Sequence, residues 1–493
     1  MMESGASSAQ LVDDSKKPSY ATQYLGAFSA CMGALNFEVA VGYSSPAGSM
    51  LVKPENMTYN NDTDGELYLS EGQNSWYGST INIGAFIGGP LGGLLISTIG
   101  RKGAMFSTFV GFLISWLLTI FAQNFAMLIS SRIVLGLATG ITCIAANTYI
   151  GELASVDIRG TLGSGFQLMV VIGIEFAYIF GAIVDTWQLL AIICMCPIFV
   201  FFVLILISKE SPVYLLSKGK EKEAMGSLQF FRGKDYNIQR ELDMMRADME
   251  EARENKASVK YLLVNPHLLK PLTISLALMF FQQASGVSAV LFNLTSIFKE
   301  AGTDIPESLS SILVGLVQIV ATAASSLFID RAGRKILLTG SALFMAISLA
   351  ALGFFFYEKA IGQADSLQWL PLVSLMLFIT SASIGYGPIP WLMMNELFPR
   401  AVAGKASSLS IMMNCSMSFI STLTFTPLQD VIHDYGVFWM FASVCVMNVA
   451  FCVLVVPETK GKTVEEISAY FGAPSPLKSG PNEKPKIDIS IIS

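Results

Sequence analysis

Long apolar runs recur about twelve times along this sequence, and they constrain its fold more than any other feature. A helix needs about 20 mostly apolar residues to cross roughly 30 Å of hydrocarbon, because lipid cannot satisfy free backbone groups. Such runs lie near residues 24–45, 75–96, 104–123, 126–151, 162–184 and 188–207, and again near 271–298, 309–329, 336–357, 367–394, 406–426 and 436–456. With 53% hydrophobic and only 14% charged residues, the chain has too little polar surface for several soluble domains. We therefore predict an all-α membrane protein with twelve transmembrane helices.

Charge and cysteine usage exclude several other classes of protein. The formal net charge is −6, so the chain lacks the basic face that a nucleic-acid-binding protein needs. The apolar composition excludes a disordered scaffold. All 7 cysteines lie in or beside the apolar runs, which favours thiols buried in the membrane over a disulfide framework. Residues 1–19 are polar and the first apolar run is long enough to span, so we expect no cleaved signal peptide.

Lysine and arginine are distributed unequally between the two sides of the predicted membrane. If the N-terminus is cytoplasmic, the outer segments hold only Lys53, Lys299 and Lys359, and every other basic residue except Arg132 lies inside. Arg132 lies within the fourth run. Because basic residues concentrate in cytoplasmic loops, we predict a multi-pass protein with both termini in the cytoplasm. We expect it in the plasma membrane.

The first outer loop, residues 45–74, carries two N-glycosylation sequons, at Asn56 and Asn61. Sequons often occur by chance, but their position in the one long outer loop agrees with the orientation that the basic residues indicate. We therefore expect a glycoprotein modified at these two residues.

The chain divides into five parts. Six apolar runs precede a polar stretch, residues 208–270, and six more follow it. The polar stretch mixes charges of both signs with apolar residues at loosely helical spacing, which favours short helices over a partner-binding module. The predicted parts are a cytoplasmic N-terminal tail (1–19), a six-helix bundle (20–207), a cytoplasmic helical linker (208–270), a second six-helix bundle (271–456) and a cytoplasmic C-terminal tail (457–493).

Polar motifs repeat between the two halves and fall on the predicted cytoplasmic side. Gly-Arg-Lys follows both the second and the eighth run, a glutamate ends both the fourth and the tenth run, and another glutamate follows both the sixth and the twelfth. The repeat indicates that one six-helix unit is used twice, and two such pseudo-symmetric bundles rock about a midplane site in many secondary transporters. The alternative is ordinary loop solubility. We predict a conformational latch that holds the outward-open conformer and breaks as the halves rock inward, formed by Arg101, Glu152, Arg159, Glu210, Arg331, Arg334, Glu396 and Glu458.

These motifs, together with others in the same order, give the chain a resemblance to the sugar porters of the major facilitator superfamily over residues 20–472. The further motifs are Asp330-Arg331-Ala332-Gly333-Arg334-Lys335, Glu210-Ser211-Pro212, Gln282-Gln283-Ala284-Ser285-Gly286, Gly387-Pro388-Ile389-Pro390-Trp391 and Pro457-Glu458-Thr459-Lys460-Gly461. Val41-Gly42-Tyr43-Ser44-Ser45-Pro46-Ala47 and Trp391-Leu392-Met393-Met394 are similar to the branch of arthropod trehalose transporters and facilitative glucose transporters. The resemblance implies a sugar transporter that works without a cofactor.

Neutral amides and one indole at midplane depth are the candidate sugar contacts. A sugar presents hydroxyls that donate and accept hydrogen bonds and apolar faces that stack on aromatic rings. An amide within a span is costly unless it is paired or faces a wet cavity, and a single one is as well explained by helix–helix bonding. Several of these positions match sugar-contacting residues of the family, so we predict a substrate site. Its residues are Gln167, Gln282, Gln283, Ser288, Gln318, Trp391 and Asn414.

Three departures from the family pattern leave the sugar undetermined. The family usually has Asn at the positions of Ser288 and Gln318, and glucose carriers often have Glu at the position of Ser383. These changes alter the hydrogen bonding around a pyranose. We therefore expect trehalose or a hexose such as glucose, and the choice between them stays open.

The family resemblance also bears on energy coupling. Proton-driven relatives generally carry an Asp directly after the tyrosine that corresponds to Tyr43, and Ser44 stands there. Passive uniport is therefore our main prediction. Glu38 and Glu175 are acids within spans, so a proton symporter that uses Glu38 is the alternative, and a non-transporting sugar receptor is a third hypothesis.

No enzyme signature is present in the sequence. The chain has no phosphate-cradling glycine-rich loop with a lysine, and His267 and His433 lie in loops on opposite sides. We predict no catalytic residues, no metal and no cofactor. The expected partners are a small-molecule sugar and membrane lipid, with no nucleic acid and no obligate protein partner.

Overall fold

The computed structural model describes residues 18–52, 67–155, 157–254, 259–462 and 464–472. Helices dominate this part of the chain, and β-structure within it is limited to an isolated bridge between Val52 and Leu69. The first half contains α1 (Ala21–Leu51), α2 (Glu71–Thr98), α3 (Gly100–Ile120), α4 (Phe125–Leu153), α5 (Arg159–Gly181), α6 (Trp187–Met195) and α7 (Pro197–Ile207). The connecting segment contains α8 (Pro212–Ser217), α9 (Glu221–Arg232), α10 (Gln239–Glu254) and α11 (Val259–Val264).

The second half follows the same plan with more interruptions. It contains α12 (Pro266–Ala284), α13 (Val287–Phe292), α14 (Leu294–Ala301), α15 (Glu307–Ala332), α16 (Arg334–Ala360), α17 (Leu370–Ser381), α18 (Ile389–Glu396), α19 (Arg400–Leu454) and α20 (Val464–Tyr470). A 3₁₀ turn precedes α17 at Asp365–Leu367, and a π-helical turn, Ala382–Tyr386, separates α17 from α18.

Eleven helical segments of the described chain are long and apolar enough to cross a membrane. The last of them, Val402–Leu454, has 53 residues, and a straight helix of that length would measure about 80 Å. Its backbone turns at His433 (φ 60°, ψ 167°), so this segment crosses twice. The predicted all-α membrane fold with twelve crossings is confirmed.

Three of the predicted crossings are not continuous helices. The sixth keeps helical backbone angles at Cys196, but its hydrogen-bond pattern is interrupted there because Pro197 has no backbone N–H. The seventh breaks at Gly286, whose φ of 86° favours a residue without a side chain. The tenth breaks at its π-helical turn, where the Gly387 N–H donates to the Ala382 carbonyl at 2.6 Å. Interrupted helices are tolerated in a membrane where the segment faces protein or a water-filled cavity.

Each half has its own apolar core. In the first half α1 packs on α5 and α2 on α4, while in the second half α12 and α16 pack on α19. The approach of α2 to α4 requires glycine at Gly136, since a Cβ there would lie 2.0 Å from the Ile81 carbonyl oxygen. The core of the second half also includes Ile174 and Tyr178 of α5, so the two halves share a contact.

The two described chain ends lie on one side of the molecule, which we call the terminal face. Ser19 donates its N–H to the Arg232 carbonyl on α9, and the Phe471 carbonyl contacts the His267 ring at the start of α12. Arg232 also pairs with Glu241 of α10 and donates to the Leu153 carbonyl at 2.6 Å, which fixes the short helices to the end of α4. We call the opposite side, where α1 ends and α2 begins, the loop face.

Candidate functional site

Four of the predicted substrate residues form one hydrogen-bonded network in the second half. Asn414 on α19 donates to the Gln282 oxygen at 2.7 Å and accepts from the Gln283 amide at 3.1 Å. Ser288 donates to the Gln283 oxygen at 2.5 Å. The break at Gly286 places Ser288 beside Gln283, because the chain turns there between α12 and α13. These polar groups satisfy one another away from lipid.

Gln282 connects this network to the break in the tenth crossing. Its amide nitrogen donates to the carbonyls of Tyr386 and Gly387 at 2.6 and 3.0 Å. A π-helical turn leaves carbonyls without their usual helical partners, and the two amide hydrogens of one glutamine supply what is missing. Gln282 therefore uses both of its donors within the protein and holds the turn in position.

The other two predicted amides line a hollow between the halves. Gln167 of α5 lies on one side, and Gln318 of α15 lies on the other. The remaining lining residues are Val171, Val287, Thr322, Ile379, Ala382, Ser383, Gly387 and Pro388. Gln318 is only 8% exposed, and its side-chain oxygen has no hydrogen-bond partner among the described residues. This oxygen is therefore available to a donor on a molecule in the hollow.

The network and the hollow meet at Gly387. Its carbonyl accepts from Gln282, while the same residue lines the hollow. Gln282 thus links the network to the wall of the hollow at Gly387. Of the seven predicted substrate residues, the hollow is lined directly by Gln167 and Gln318.

Trp391 is not among the residues that line the hollow. It is partly buried on α18 and packs against the apolar cluster of Met279, Met394 and Ile411. In this conformer its ring therefore borders the packing between α12, α18 and α19 and is not part of the wall of the hollow.

Thr322 and Ser383 line the hollow although we did not predict them as substrate residues. Thr322 follows Gln318 by one helical turn, so helical spacing from a predicted amide would have found it. Ser383 stood out only as a departure from the family pattern, and no periodic signal marks it because the helix there has π geometry.

The halves contact each other between the hollow and the loop face. Ser45 of α1 and Thr295 of α14 share a hydrogen bond of 3.0 Å between their hydroxyls. Tyr178 of α5 donates to the Leu291 carbonyl at 2.8 Å. The rings of Trp76 and Phe419 lie 6.0 Å apart. We call these three contacts, together with the packing of α5 on α15, the loop-face gate, and it is closed in this structure.

Toward the terminal face the same side of α5 is open. Ser164 lies three residues before Gln167 on one helical face and is exposed. Farther along this face, no atom lies within 4 Å of the position that a Cβ on Gly160 would occupy. The hollow is therefore closed at the loop face and open along α5 toward the terminal face.

A hollow at the junction of two similar six-helix bundles, closed at one face, is typical of transporters. Residues 19–471 match the family described as "Sugar (and other) transporter". The chain belongs to this family.

Curated relatives of this chain are named as sugar transporters. A protein named facilitated trehalose transporter Tret1 from Drosophila pseudoobscura pseudoobscura is 38% identical over 467 residues, which are 94% of this chain and 53% of that protein. The chain therefore spans about half the length of this relative. Solute carrier family 2, facilitated glucose transporter member 8, from Bos taurus is 37% identical over 468 residues, covering 91% and 94% of the two chains.

Solved structures of a bacterial transporter share the fold. The xylose transporter XylE from E. coli, in a partially occluded inward open conformation, superposes with a TM-score of 0.75 at 24% identity. The match covers 90% of this chain and 100% of that chain. This likeness agrees with the major facilitator superfamily architecture that the repeated motifs predicted.

At the terminal face, the predicted latch residues form one ion network in each half. In the first half Arg101 pairs with Glu152 at 2.5 Å, and the Ser211 hydroxyl donates to the other Glu152 oxygen. Glu210 accepts the backbone N–H groups of Arg101 and Lys102 at 3.0 and 3.1 Å. The network therefore joins the starts of α3 and α8 to the end of α4.

The second half repeats this arrangement group by group. Arg334 pairs with Glu396 at 3.0 Å, and Thr459 donates to the other Glu396 oxygen at 2.6 Å. Glu458 accepts the backbone N–H groups of Arg334 and Lys335 at 3.0 and 3.1 Å. The network thus joins α16 and α18 to the segment after α19.

Two predicted latch residues are not part of these networks. In addition, neither ion pair joins one half to the other. Arg159 and Arg331 are exposed, and the described contacts do not include either side chain in a network. The Arg331 carbonyl accepts the Lys460 ammonium at 2.6 Å. Each ion pair is internal to one half and is intact while the loop-face gate is closed. The networks therefore brace each half from within.

Backbone donors determine the protonation of Glu458. Partial burial alone raises its pKa, but N–H groups from Lys460, Arg334, Lys335 and Thr459 lower it, and the pKa lies below the ordinary 4.5. Glu458 is therefore held as a carboxylate by backbone donors of the segment after α19 and of the first residues of α16.

Proposed function

We propose that this chain is a facilitative sugar carrier, a uniporter that moves trehalose or a hexose such as glucose across the plasma membrane by alternating access. The hollow between the halves carries this proposal, because amides line it from both sides and it is closed at one face only. The family supports sugar as the cargo, and the relatives named above are named as carriers of trehalose and glucose. A transporter needs no catalytic residue and no cofactor, and we propose none.

The sugar in this proposal contacts both halves. The Gln318 oxygen accepts one hydroxyl, and Gln167 holds another from the opposite side, with Gln283 and Ser288 reached when the wall at Gly387 moves. Gln282 and Asn414 keep these groups in place. Trp391 supplies an apolar face for the ring of the sugar once the bundles rock. Because the sugar contacts both halves, it can favour the conformers in which the two halves close around it.

The orientation follows from the basic residues. We propose that the terminal face is cytoplasmic, since Lys and Arg concentrate there and both described chain ends lie on it. The structure is then open to the cytoplasm. The proposed glycosylation sites Asn56 and Asn61 lie between α1 and α2 in the sequence, outside the described residues.

Proton symport is the second candidate, and one contact favours it. Glu38 on α1 is partly exposed and packs beside Gly173 of α5, the helix that contributes Gln167 to the lining of the hollow. A related structure is named as a proton:xylose symporter at 25% identity. Ser44, which does not titrate, favours the passive carrier.

Uptake into liposomes separates these functions. Purified protein in liposomes should equilibrate labelled sugar without a pH gradient, and competition among glucose, fructose and trehalose should identify the cargo. Accumulation that requires an inward proton gradient would contradict uniport, and Glu38→Gln should then abolish accumulation while sparing exchange. Binding without countertransport would instead indicate a receptor.

A further inference from the structure

An acid that the proposed function does not use lies within the loop-face gate. Glu175 is on α5, two helical turns after Gln167, and faces Gly315 of α15. A Cβ built on Gly315 would lie 1.8 Å from one Glu175 oxygen, so the carboxyl occupies the space that the glycine leaves. The side chain is only 3% exposed, and neither oxygen has a hydrogen-bond partner in the described part of the chain.

These surroundings decide the protonation of Glu175 in the closed gate. An ionised carboxylate that is buried without a partner is far more costly than a neutral one. Acids within a membrane protein normally face a partner or a wet cavity, and Glu175 has neither here. The carboxyl therefore holds its proton as long as α5 and α15 stay packed.

The neighbouring helices supply no charge that would alter this. On α5 itself Tyr178 lies one turn later, and its hydroxyl is bonded to the Leu291 carbonyl. On α1 the nearest acid is Glu38, beside Gly173. On α15 the facing residue is Gly315, and no described basic side chain forms an ion pair with Glu175.

We propose that Glu175 is a protonation site that links closure of the loop-face gate to external pH. This rests on the proposed function, because it requires alternating access and an external loop face. When α5 separates from α15, water reaches the carboxyl, which releases its proton to the external solution. Closure requires the carboxylate to take a proton back from the same solution.

The proton returns to the side from which it came. In the closed gate Glu175 is shielded from the hollow as well as from the loop face, so a transport cycle moves no net proton through this residue. External acid therefore favours the closed gate without driving uphill sugar transport. This behaviour differs from symport through Glu38.

The test measures how often the gate opens at different external pH values. Thr422 is buried beside the gate, and Thr422→Cys reacts with a membrane-impermeant maleimide only when the gate opens. The protein with threonine at this position gives the background from the native cysteines. The labelling rate is compared with that of Thr422→Cys combined with Glu175→Gln, in which the thiol has the same intrinsic pH response.

With Glu175 present, we expect the labelling rate to rise with external pH more steeply than in the Glu175→Gln protein, by up to tenfold per pH unit because one proton is linked. Glu38→Gln should keep the steep response. Equal slopes with and without Glu175 would overturn the proposal. Glu175→Leu replaces the glutamine variant if that variant loses sugar exchange.

Two further measurements test the proposal. In the Thr422→Cys protein that retains Glu175, the labelling rate should depend on external pH and not on internal pH. A rate that depends on internal pH alone would overturn the proposal without any substitution at Glu175. Glu300→Gln tests another acid near the loop face, and it should leave the steep response in place. If no sugar is exchanged at all, the proposed function fails, whereas the labelling still reports on Glu175.

Discussion

Gln283 and Asn414 are 131 residues apart in the chain, and their side-chain amides are joined by a hydrogen bond of 3.1 Å. This bond connects α12 to the first half of α19, two helices that both move if the second bundle rocks as a body. Gln283 uses one amide hydrogen in this bond and its oxygen accepts from Ser288. One hydrogen on its nitrogen is left for a sugar hydroxyl.

Replacing Gln283 by alanine removes that donor and one arm of the network. We expect sugar affinity to fall about fivefold, since one lost hydrogen bond is worth about 1 kcal/mol. Equilibrium binding of labelled sugar to purified protein measures this. Gln239→Ala, which removes an exposed amide on α10, is the matched control and should bind normally. Unchanged transport kinetics in Gln283→Ala would show that the substrate lies elsewhere.

Gln282→Leu should affect stability more than Gln283→Ala does. It leaves the carbonyls of Tyr386 and Gly387 without their donors in a buried turn. Each unpaired buried group costs about 1–3 kcal/mol, so the thermal unfolding temperature should fall clearly. Saturating sugar should restore little of this loss, because Gln282 supports the π-helical turn without lining the hollow. Full stability in Gln282→Leu would contradict the role that we assign to it.

Much of the fold could be predicted from sequence because membrane spans are local features. A window of apolar residues locates a crossing without knowledge of its neighbours, and the amides were conspicuous as polar exceptions within such windows. The breaks were harder to predict. Gly286 shows no local sign that its φ is positive, and Pro388 marked the tenth crossing without revealing the π geometry before it.

The pairing of side chains could not be read from one sequence. Whether Gln282 meets a sugar or the carbonyl of Tyr386 depends on which helices face each other, and hydropathy carries no such information. Arg132 illustrates the same limit. It was noticed only as a basic residue within a span, whereas it lies 4.0 Å from the Tyr77 ring centroid and donates to the Ala40 carbonyl at 3.1 Å.

Removing Arg334 should weaken the second half more than removal of an exposed cation would. Arg334→Ala leaves Glu396 with the Thr459 hydroxyl as its remaining described donor, in a site that is largely buried. We expect a loss of roughly 1–3 kcal/mol, seen as a lower unfolding temperature and a shifted conformer balance. Lys220→Ala breaks an exposed pair with Glu223 and should change either quantity little.

Exchanging the charges tests whether the Arg334 effect comes from the pair. The double variant Arg334→Glu with Glu396→Arg should recover part of the lost stability. Arg101→Ala should behave like Arg334→Ala, because the same network surrounds it in the first half. An effect confined to one half would contradict the internal symmetry.

Glu458 should make stability depend on pH in the acid range. Its pKa in the folded protein lies below the ordinary 4.5, so the carboxylate form stabilises the fold at every pH above that value. The contribution is lost as pH falls through the lowered pKa, where the folded protein must also bind a proton. The unfolding temperature of Glu458→Gln should therefore lie below that of the unsubstituted protein at neutral pH, and the gap should narrow below pH 4.5. Glu223→Gln, at an exposed position on α9, is the control and should produce a smaller gap throughout. A gap for Glu458→Gln that stays constant down to strongly acidic pH would mean that the backbone donors around Glu458 do not hold this carboxylate.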